Sequence, residues 1–327
     1  VSGPPPAVAA VRLAVRRALA GLPSGTTVLT ACSGGADSLA LAGAAAFEAP
    51  RLGLRAGAVT VDHGLQEGSD ARADDVAKVL AGLGLDPVVV RRVEVADRGG
   101  PEGAAREARY AALAEEAAAR APAVILLGHT LDDQAETVLL GLARGSGARS
   151  LSGMAPRSGD HLRPLLGLER DTVRRACDLM GFTAWEDPHN HDPRFARSRV
   201  RHEALPALER TLGPGIAAAL ARTAALLRDD ADALDSLAGE LYAEAAVAEG
   251  DPGPVLSVPV LRNTPAALRT RVLRRAALAA GCPAGALSAH HVRELEKLVT
   301  AWRGQAHIDL PGGIRGHRIA TTLRFAQ

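Results

Sequence analysis

Short apolar runs alternate with longer stretches in which Ala and Leu recur at helical spacing with charges between them. The runs at 26–32, 58–62, 87–95 and 123–128 are rich in Val, Ile or Leu and predict four β-strands. The stretches at 39–47, 69–83, 103–120 and 132–143 predict the helices that separate and follow them, and 7–20 predicts an amphipathic helix ahead of the first strand. Strands this uniformly apolar are covered on both faces. The fold class is therefore α/β, a doubly wound parallel sheet with ligand sites at the carboxyl ends of its strands. After Gly145-Ser146-Gly147 the pattern loosens. Residues 162–206 carry one clear helix, 169–180, and read as a connector rather than more sheet. From 211 to 300 the chain is mostly helical with a Pro-rich break at 251–259, and it closes on a hairpin, 305–310 and 314–325, about Pro311-Gly312-Gly313. Two domains are expected: 1–210, the sheet domain with its connector, and 211–327, a smaller, mainly helical domain ending in the hairpin.

A length of 327 residues suits two domains. With 47% hydrophobic but only 2% aromatic residues, the core must be built from Leu, Val and Ala rather than rings. No apolar run reaches membrane-spanning length and no basic-then-apolar leader opens the sequence, so no membrane partner and a cytoplasmic location are expected. Cys32, Cys177 and Cys282 are odd in number and far apart, which argues against a disulfide framework or a Cys-x-x-Cys metal site. The formal net charge is +1, and the positive residues are almost all arginine, Lys78 and Lys297 being the exceptions. Between Arg194 and Arg228 seven arginines face two acids, Glu203 and Glu209. That excess suits a polyanionic partner or a solvated helical face.

The first strand breaks into Ser33-Gly34-Gly35-Ala36-Asp37-Ser38 and then enters a helix. Glycines let a backbone approach an anion, and the first N–H groups of the helix are unpaired donors at its positive end. A Walker loop would continue Gly-Lys-Ser/Thr. Here Ala36-Asp37-Ser38 stands in that place, so backbone amides and the hydroxyls of Ser33 and Ser38 would cradle the phosphates. Asp37 beside a polyphosphate calls for a divalent cation between them, which points to ATP with Mg²⁺. The fourth strand ends in Gly128-His129-Thr130-Leu131-Asp132-Asp133-Gln134-Ala135-Glu136-Thr137. Asp133 and Glu136 share a helical face, and a metal ion or a substrate ammonium would relieve their repulsion. His129 is a phosphate contact or the end of the strand. Asp62 and His63 either line the nucleotide pocket or bond loop amides. Arg106, Arg109 and Tyr110 share one helix face. Adjacent His290 and His291 point apart on a helix and read as surface.

These motifs, from Ser33 to Ser38 through Asp62-His63-Gly64-Leu65, Ala105-Arg106-Glu107-Ala108-Arg109-Tyr110 and Gly128 to Gly147, resemble the N-type ATP pyrophosphatases of the PP-loop superfamily. With Arg163-Pro164-Leu165-Leu166, Trp185-Glu186-Asp187-Pro188, Asn190, Arg199, Arg201-His202 and Leu205-Pro206, the chain resembles the tRNA(Ile)-lysidine synthetase family over 25–210. Gln66, where arginine is frequent, and Ser198, where asparagine is usual, depart from that pattern. The resemblance implies an adenine nucleotide alpha hydrolase-like catalytic domain over 1–210 and a tRNA-binding domain over 211–327. It implies ATP-dependent ligation of free L-lysine to C2 of the wobble cytidine in tRNA(Ile) with a CAU anticodon, through an adenylated cytidine. On that reading Ser33, Gly34, Gly35, Ala36, Asp37, Ser38, Asp62, His63 and His129 meet the nucleotide, and Asp37 with Asp133 holds Mg²⁺. Asp133 and Glu136 meet lysine, Arg106 and Arg109 the activated cytidine, and Arg199 and Arg201 the tRNA. The oligomeric state, monomer or homodimer, stays open. The competing readings are a tRNA thiolase of the same superfamily, which needs cysteine chemistry, and a non-catalytic nucleotide-gated RNA-binding module.

Overall fold

The computed structural model describes residues 3–62, 64, 68–93, 101–145, 147–247 and 253–327. His63, Gln66 and Ser146, singled out in the sequence, lie outside the described residues. The chain folds into two compact units, Val1–Arg228 and Asp229–Gln327.

The first unit runs α1 (Pro6–Leu19), β1 (Thr27–Ala31), α2 (Ala36–Glu48), β2 (Arg55–Asp62), α3 (Ser69–Gly82), β3 (Val88–Arg92), α4 (Pro101–Ala118), β4 (Ala123–Leu126), α5 (Leu131–Ala143), α6 (Ala148–Leu151), β5 (Arg157–Ser158), β6 (His161–Leu162), α7 (Arg170–Leu179), α8 (Ala196–Arg199), a π-helical turn (Val200–Ala204) and α9 (Leu205–Leu212). Its sheet has the order β3-β2-β1-β4-β6-β5, parallel except for β5. Successive side chains of β1 point to opposite faces. Val28 joins a core with Val11, Val15, Leu41, Val173 and Cys177 from α1, α2 and α7, whereas Leu29 packs with Val59, Leu113 and Ile125 under α4. The expected α/β class and doubly wound parallel sheet are what the chain forms. Because the chain runs outward from β1 to β2 and β3 and then returns to lay β4 on the other side of β1, the crevice between β1 and β4 is a topological switch point. Both polar motifs follow these two strands.

The stretch that leads into the expected connector, together with its first residue, also contributes to the sheet. His161 and Leu162 pair in parallel with Ile125 and Leu126 of β4. Two-residue strands carry no periodicity for a sequence reading to detect. At the other side of the core, Arg16 of α1 donates Nε and Nη2 to the buried Glu48 carboxylate of α2 at 2.8 and 3.0 Å, fixing the two helices to each other.

After α10 (Ile216–Ala245), whose residues from 229 onward belong to the second unit, come β7 (Val255–Ser257), α11 (Val258–Arg262), α12 (Ala266–Ala279), α13 (Ala289–Thr300), β8 (Ile308–Leu310), β9 (Ile314–Ile319) and β10 (Thr322–Ala326). The small sheet is antiparallel, ordered β7-β10-β9-β8, and covers a core of Leu256, Leu261, Leu273, Leu295, Leu323 and Phe325. Two expectations change here. The second hairpin arm is two strands, because the chain reverses at Ala320, a non-glycine residue with φ +49°. The Pro-rich break supplies β7, which pairs with β10. His291 is also more than surface: its Nδ1 accepts the Ser288 N–H at 3.1 Å, completing a capping box at the start of α13. Among the described residues no helix is long and apolar enough to cross a membrane.

Gly57 sits in β2 opposite Leu29, where an added Cβ would stand 2.8 Å from the Pro87 carbonyl oxygen and 3.1 Å from Leu29 Cδ2. Gly57→Ala is expected to lower unfolding stability by about 1–3 kcal/mol through overpacking between strands. Urea titration followed by circular dichroism measures it; an unchanged midpoint would contradict this packing.

Candidate active site

The phosphate loop is stitched together by Ser38. Its Oγ accepts the Ser33 N–H at 3.2 Å and donates to the Gly35 carbonyl at 2.8 Å. Gly34 has φ +84°, and a Cβ there would lie 2.6 Å from Val76 Cγ2, so the turn requires glycine twice over. No side chain caps α2, which leaves the N–H groups of its first turn directed at the loop's concave side. From outside, the Trp185 N–H donates to the Gly34 carbonyl at 3.0 Å, and the Trp185 ring lies 3.9 Å from the Arg72 guanidinium carbon.

The end of β4 comes against this loop. A Cβ on Gly128 would be 3.3 Å from the carbonyl carbon and oxygen of Asp37 and 3.4 Å from the Ser38 nitrogen. Asp37 and Asp133 consequently interact. Burial first, and the Asp133 charge second, push the Asp37 carboxyl up to about 6, against the pull of Arg170, Arg174 and Arg201. Asp37 Oδ1 is buried with no hydrogen-bond partner. An orphaned carboxylate oxygen beside a phosphate cradle suits a hard divalent cation whose other ligands are phosphate and water. Among the described residues no cluster of three or more His, Cys, Asp or Glu side chains could hold a metal unaided.

Thr130 and Asp133 form a capping box at the start of α5: Asp133 Oδ2 accepts the Thr130 N–H at 2.8 Å and its hydroxyl at 2.9 Å. The rest of the acidic block meets arginine. Asp133 Oδ1 accepts from Nη2 of Arg170 and of Arg201, each at 3.1 Å. The Glu136 side chain is fully buried, with Oε1 bonded by Arg170 at 2.9 Å and Arg201 at 2.7 Å, and Oε2 by Arg197 at 2.8 Å and Arg201 at 3.1 Å. Asp132 Oδ2 accepts the Arg170 N–H at 2.8 Å. Burial alone would raise both inner carboxyls. The guanidiniums and the Thr130 amide hold Asp133 below its ordinary value, and Arg201 and Arg170 do the same for Glu136.

On the side of His129, burial pushes the imidazole down to about 3, with Arg163, Arg109 and Arg197 adding to the effect against Asp133, so the ring is neutral at physiological pH. Its Nδ1 is buried without a partner, as are Nε of Arg109 and of Arg163. Tyr110 stacks on His161 at 5.3 Å and lies 4.9 and 5.7 Å from the guanidinium carbons of Arg106 and Arg109. The shared face of Arg106, Arg109 and Tyr110 is thus an aromatic and cationic wall. Asp62 is buried at the end of β2 and accepts the Gly64 N–H at 3.0 Å, the loop-amide alternative of the sequence reading. Arg199 is exposed and folds back on the carbonyls of Pro193 and Arg194, whereas Arg201 turns inward to the acids.

Sequence reasoning missed Arg170 and Arg197. The available signal was indirect: three carboxylates in one and a half turns need cationic partners when buried. Which arginines supply them depends on tertiary contacts across 34 and 61 residues.

The PP-loop domain family matches residues 12–208, and the TilS substrate binding domain family matches 256–320. A tRNA(Ile)-lysidine synthase from Thermobifida fusca is 65% identical over 319 residues, covering 97% of each chain. One from Streptomyces coelicolor is 56% identical over 354 residues, covering 99% of each. Among solved structures, the U34-tRNA thiolase NcsA from Methanococcus maripaludis with its [4Fe-4S] cluster aligns with a TM-score of 0.56 at 20% identity, over 68% of this chain and 80% of that one, a likeness of fold alone. Two family domains in order and relatives matched along their whole length leave one conclusion: this chain belongs to the tRNA(Ile)-lysidine synthase family.

Proposed function

We propose that this chain uses ATP to join L-lysine to C2 of the wobble cytidine of tRNA(Ile) with a CAU anticodon. The observation that carries the reading is the approach of Gly128 to Asp37, which sets a phosphate cradle and an acidic block at one switch point. Two reagents can then meet over a single base. In the first step cytosine O2 attacks the α-phosphorus of ATP and the bond to pyrophosphate breaks. The loop amides and the hydroxyls of Ser33 and Ser38 take up the charge that develops on the leaving group. Mg²⁺, when bound, would supply further charge neutralisation there, with Asp37 as its carboxylate and Asp133 behind it. Arg109 and Arg106, on the wall with Tyr110, face the activated cytidine. In the second step the lysine ε-amine attacks C2 and the C2–O bond to AMP breaks. Lysine's ammonium must first lose a proton; Asp133 and Glu136 recognise the cation, and one of these two carboxylates takes that proton before the amine attacks. The ammonium reaches them by taking the place of a guanidinium, and Arg197, the most exposed of the three at 31% of its side chain, is the one that yields. Arg199 and the displaced Arg197 then meet tRNA phosphates.

A thiolase reading requires a reactive thiol. Cys32, Cys177 and Cys282 are buried and unpaired, and burial raises each, Cys177 to about 11, which makes them inert packing groups.

Incubation of the chain with tRNA(Ile) transcript, ATP and isotopically labelled lysine is expected to place the label on the wobble cytidine, read by mass spectrometry of nuclease fragments. Release of neither pyrophosphate nor AMP would instead favour a nucleotide-gated binding module.

The Asp37 carboxyl, raised to about 6, must be ionised to hold a cation. Pyrophosphate release is therefore expected to fall as pH drops through 6, and added Mg²⁺ should move that limb to lower pH because metal and proton compete. Asp37→Asn should cost at least about 100-fold in rate and abolish the limb. A limb that survives in this variant would assign the titration to another group.

A further inference from the structure

In the second unit a pocket of about 210 Å³ is lined by Val258, Pro259, Arg262, Asn263, Arg318 and Thr321. Two cations face this one cavity, and among the described residues neither has a carboxylate partner. Arg262 Nε donates to the Val299 carbonyl at 3.3 Å. Arg318 Nη1 donates to the Leu298 carbonyl at 2.9 Å and its Nε to the Ala320 carbonyl at 3.0 Å. These bonds satisfy carbonyls in the last turn of α13 and so have a structural use. They leave both Nη atoms of Arg262 and Nη2 of Arg318 without a protein acceptor among the described residues. Burial, and then the charge of Arg262, lower Arg318 below the ordinary arginine value, so the two guanidiniums repel each other across the cavity.

The frame around the cavity is firm. Val258 N–H donates to the Thr321 carbonyl at 2.8 Å, tying the start of α11 to the turn between β9 and β10. That turn contains Ala320 at φ +49°, a conformation rare for alanine and held here by the Arg318 bond. The Trp302 ring, 38% exposed, lies 4.5 Å from the Arg318 guanidinium carbon and holds its plane.

Paired planar donors with no internal anion match a phosphate oxygen pair better than any neutral ligand. We propose that this pocket takes a phosphodiester of the RNA substrate, with the free guanidinium edges of Arg262 and Arg318 as donors and Asn263 at its rim. The assignment rests on the tRNA-modifying reading above and adds a backbone contact far in sequence from the catalytic motifs. Contacts of this kind set the register of the RNA and carry no base specificity.

Filter binding of tRNA(Ile) transcript from 50 to 200 mM salt tests it with the full chain. Arg262→Gln should weaken binding about tenfold and reduce the slope of log affinity against log salt by about one. Arg262→Lys keeps the charge and loses the Nε bond to Val299. It should retain the unmodified slope while its melting temperature falls as far as that of Arg262→Gln, a separation that a purely structural arginine would not give. Unchanged affinity and slope in Arg262→Gln, with labelled lysine still incorporated by the unmodified chain, overturn the pocket alone. If the unmodified chain neither binds nor modifies the transcript, the tRNA reading falls and the RNA ligand of this pocket falls with it.

Discussion

Gly128 carries no Cβ, and that lets the end of β4 pass against the peptide of Asp37 and the first turn of α2. Two features that are ordinary alone become one site through this approach. A strand-to-helix turn with glycines offers amides to an anion, and a helix opening in acids offers carboxylates to a cation. Set against each other at the β1/β4 switch point, they place an anion-binding cradle and a cluster of carboxylates side by side in one crevice. The parallel sheet dictates that place, since only at the strand ends where the chain reverses direction do two loops diverge and open a crevice.

Closeness of the two motifs has an electrostatic consequence. Asp37, Asp132, Asp133 and Glu136 would repel one another in a partly buried corner if nothing opposed them. Arg170, Arg197 and Arg201 oppose three of those charges, and their forks satisfy every oxygen of Glu136. Asp37 is left with a raised carboxyl and an orphan oxygen. Burying ion pairs costs desolvation and is weak support for stability, whereas removing one member leaves a buried charge uncompensated. The acidic corner therefore depends on the guanidiniums that face it.

Much of this was legible in the chain. The phosphate loop, the four long strands and the acidic helix opening declare themselves by apolar runs, glycines and clustered carboxylates, all local signals. Elements with no local signal were not legible. β5 and β6 are two residues each, and β7 stands amid prolines where turn chemistry dominates a reading. The reversal at Ala320 uses a residue without turn preference, stabilised by Arg318 from the preceding strand. In the candidate site, the acids could be found but not their partners. Arg170, Arg197 and Arg201 come from 34 to 65 residues away from Glu136, and an arginine-rich segment offers many equivalent choices.

The segment around Arg197 to Arg201 shows how backbone geometry selects among such choices. Arg197 lies in the short helix α8, which gives way at Val200 to a π-helical turn. Residues four apart on a helix share a face, and local π geometry shifts that face by adding backbone between turns, a feature frequent at functional sites. Arg197 and Arg201 both reach Glu136, while Arg199 between them points away to the carbonyls of Pro193 and Arg194. Ser198, buried beside them, donates to the Asn190 carbonyl at 3.1 Å, and His202 Nε2 lies at the same distance from that oxygen. The loop that presents an arginine outward is thus anchored by the same turn that sends its neighbours inward. A segment built this way is tied to the acidic corner directly: Arg197 and Arg201 fasten it to Glu136, Arg197 also donates to the Asp133 carbonyl, and Arg199 is displayed between them. Inward pairing of Arg197 and Arg201 and outward display of Arg199 are in this way joined within one short segment held on a single buried carboxylate.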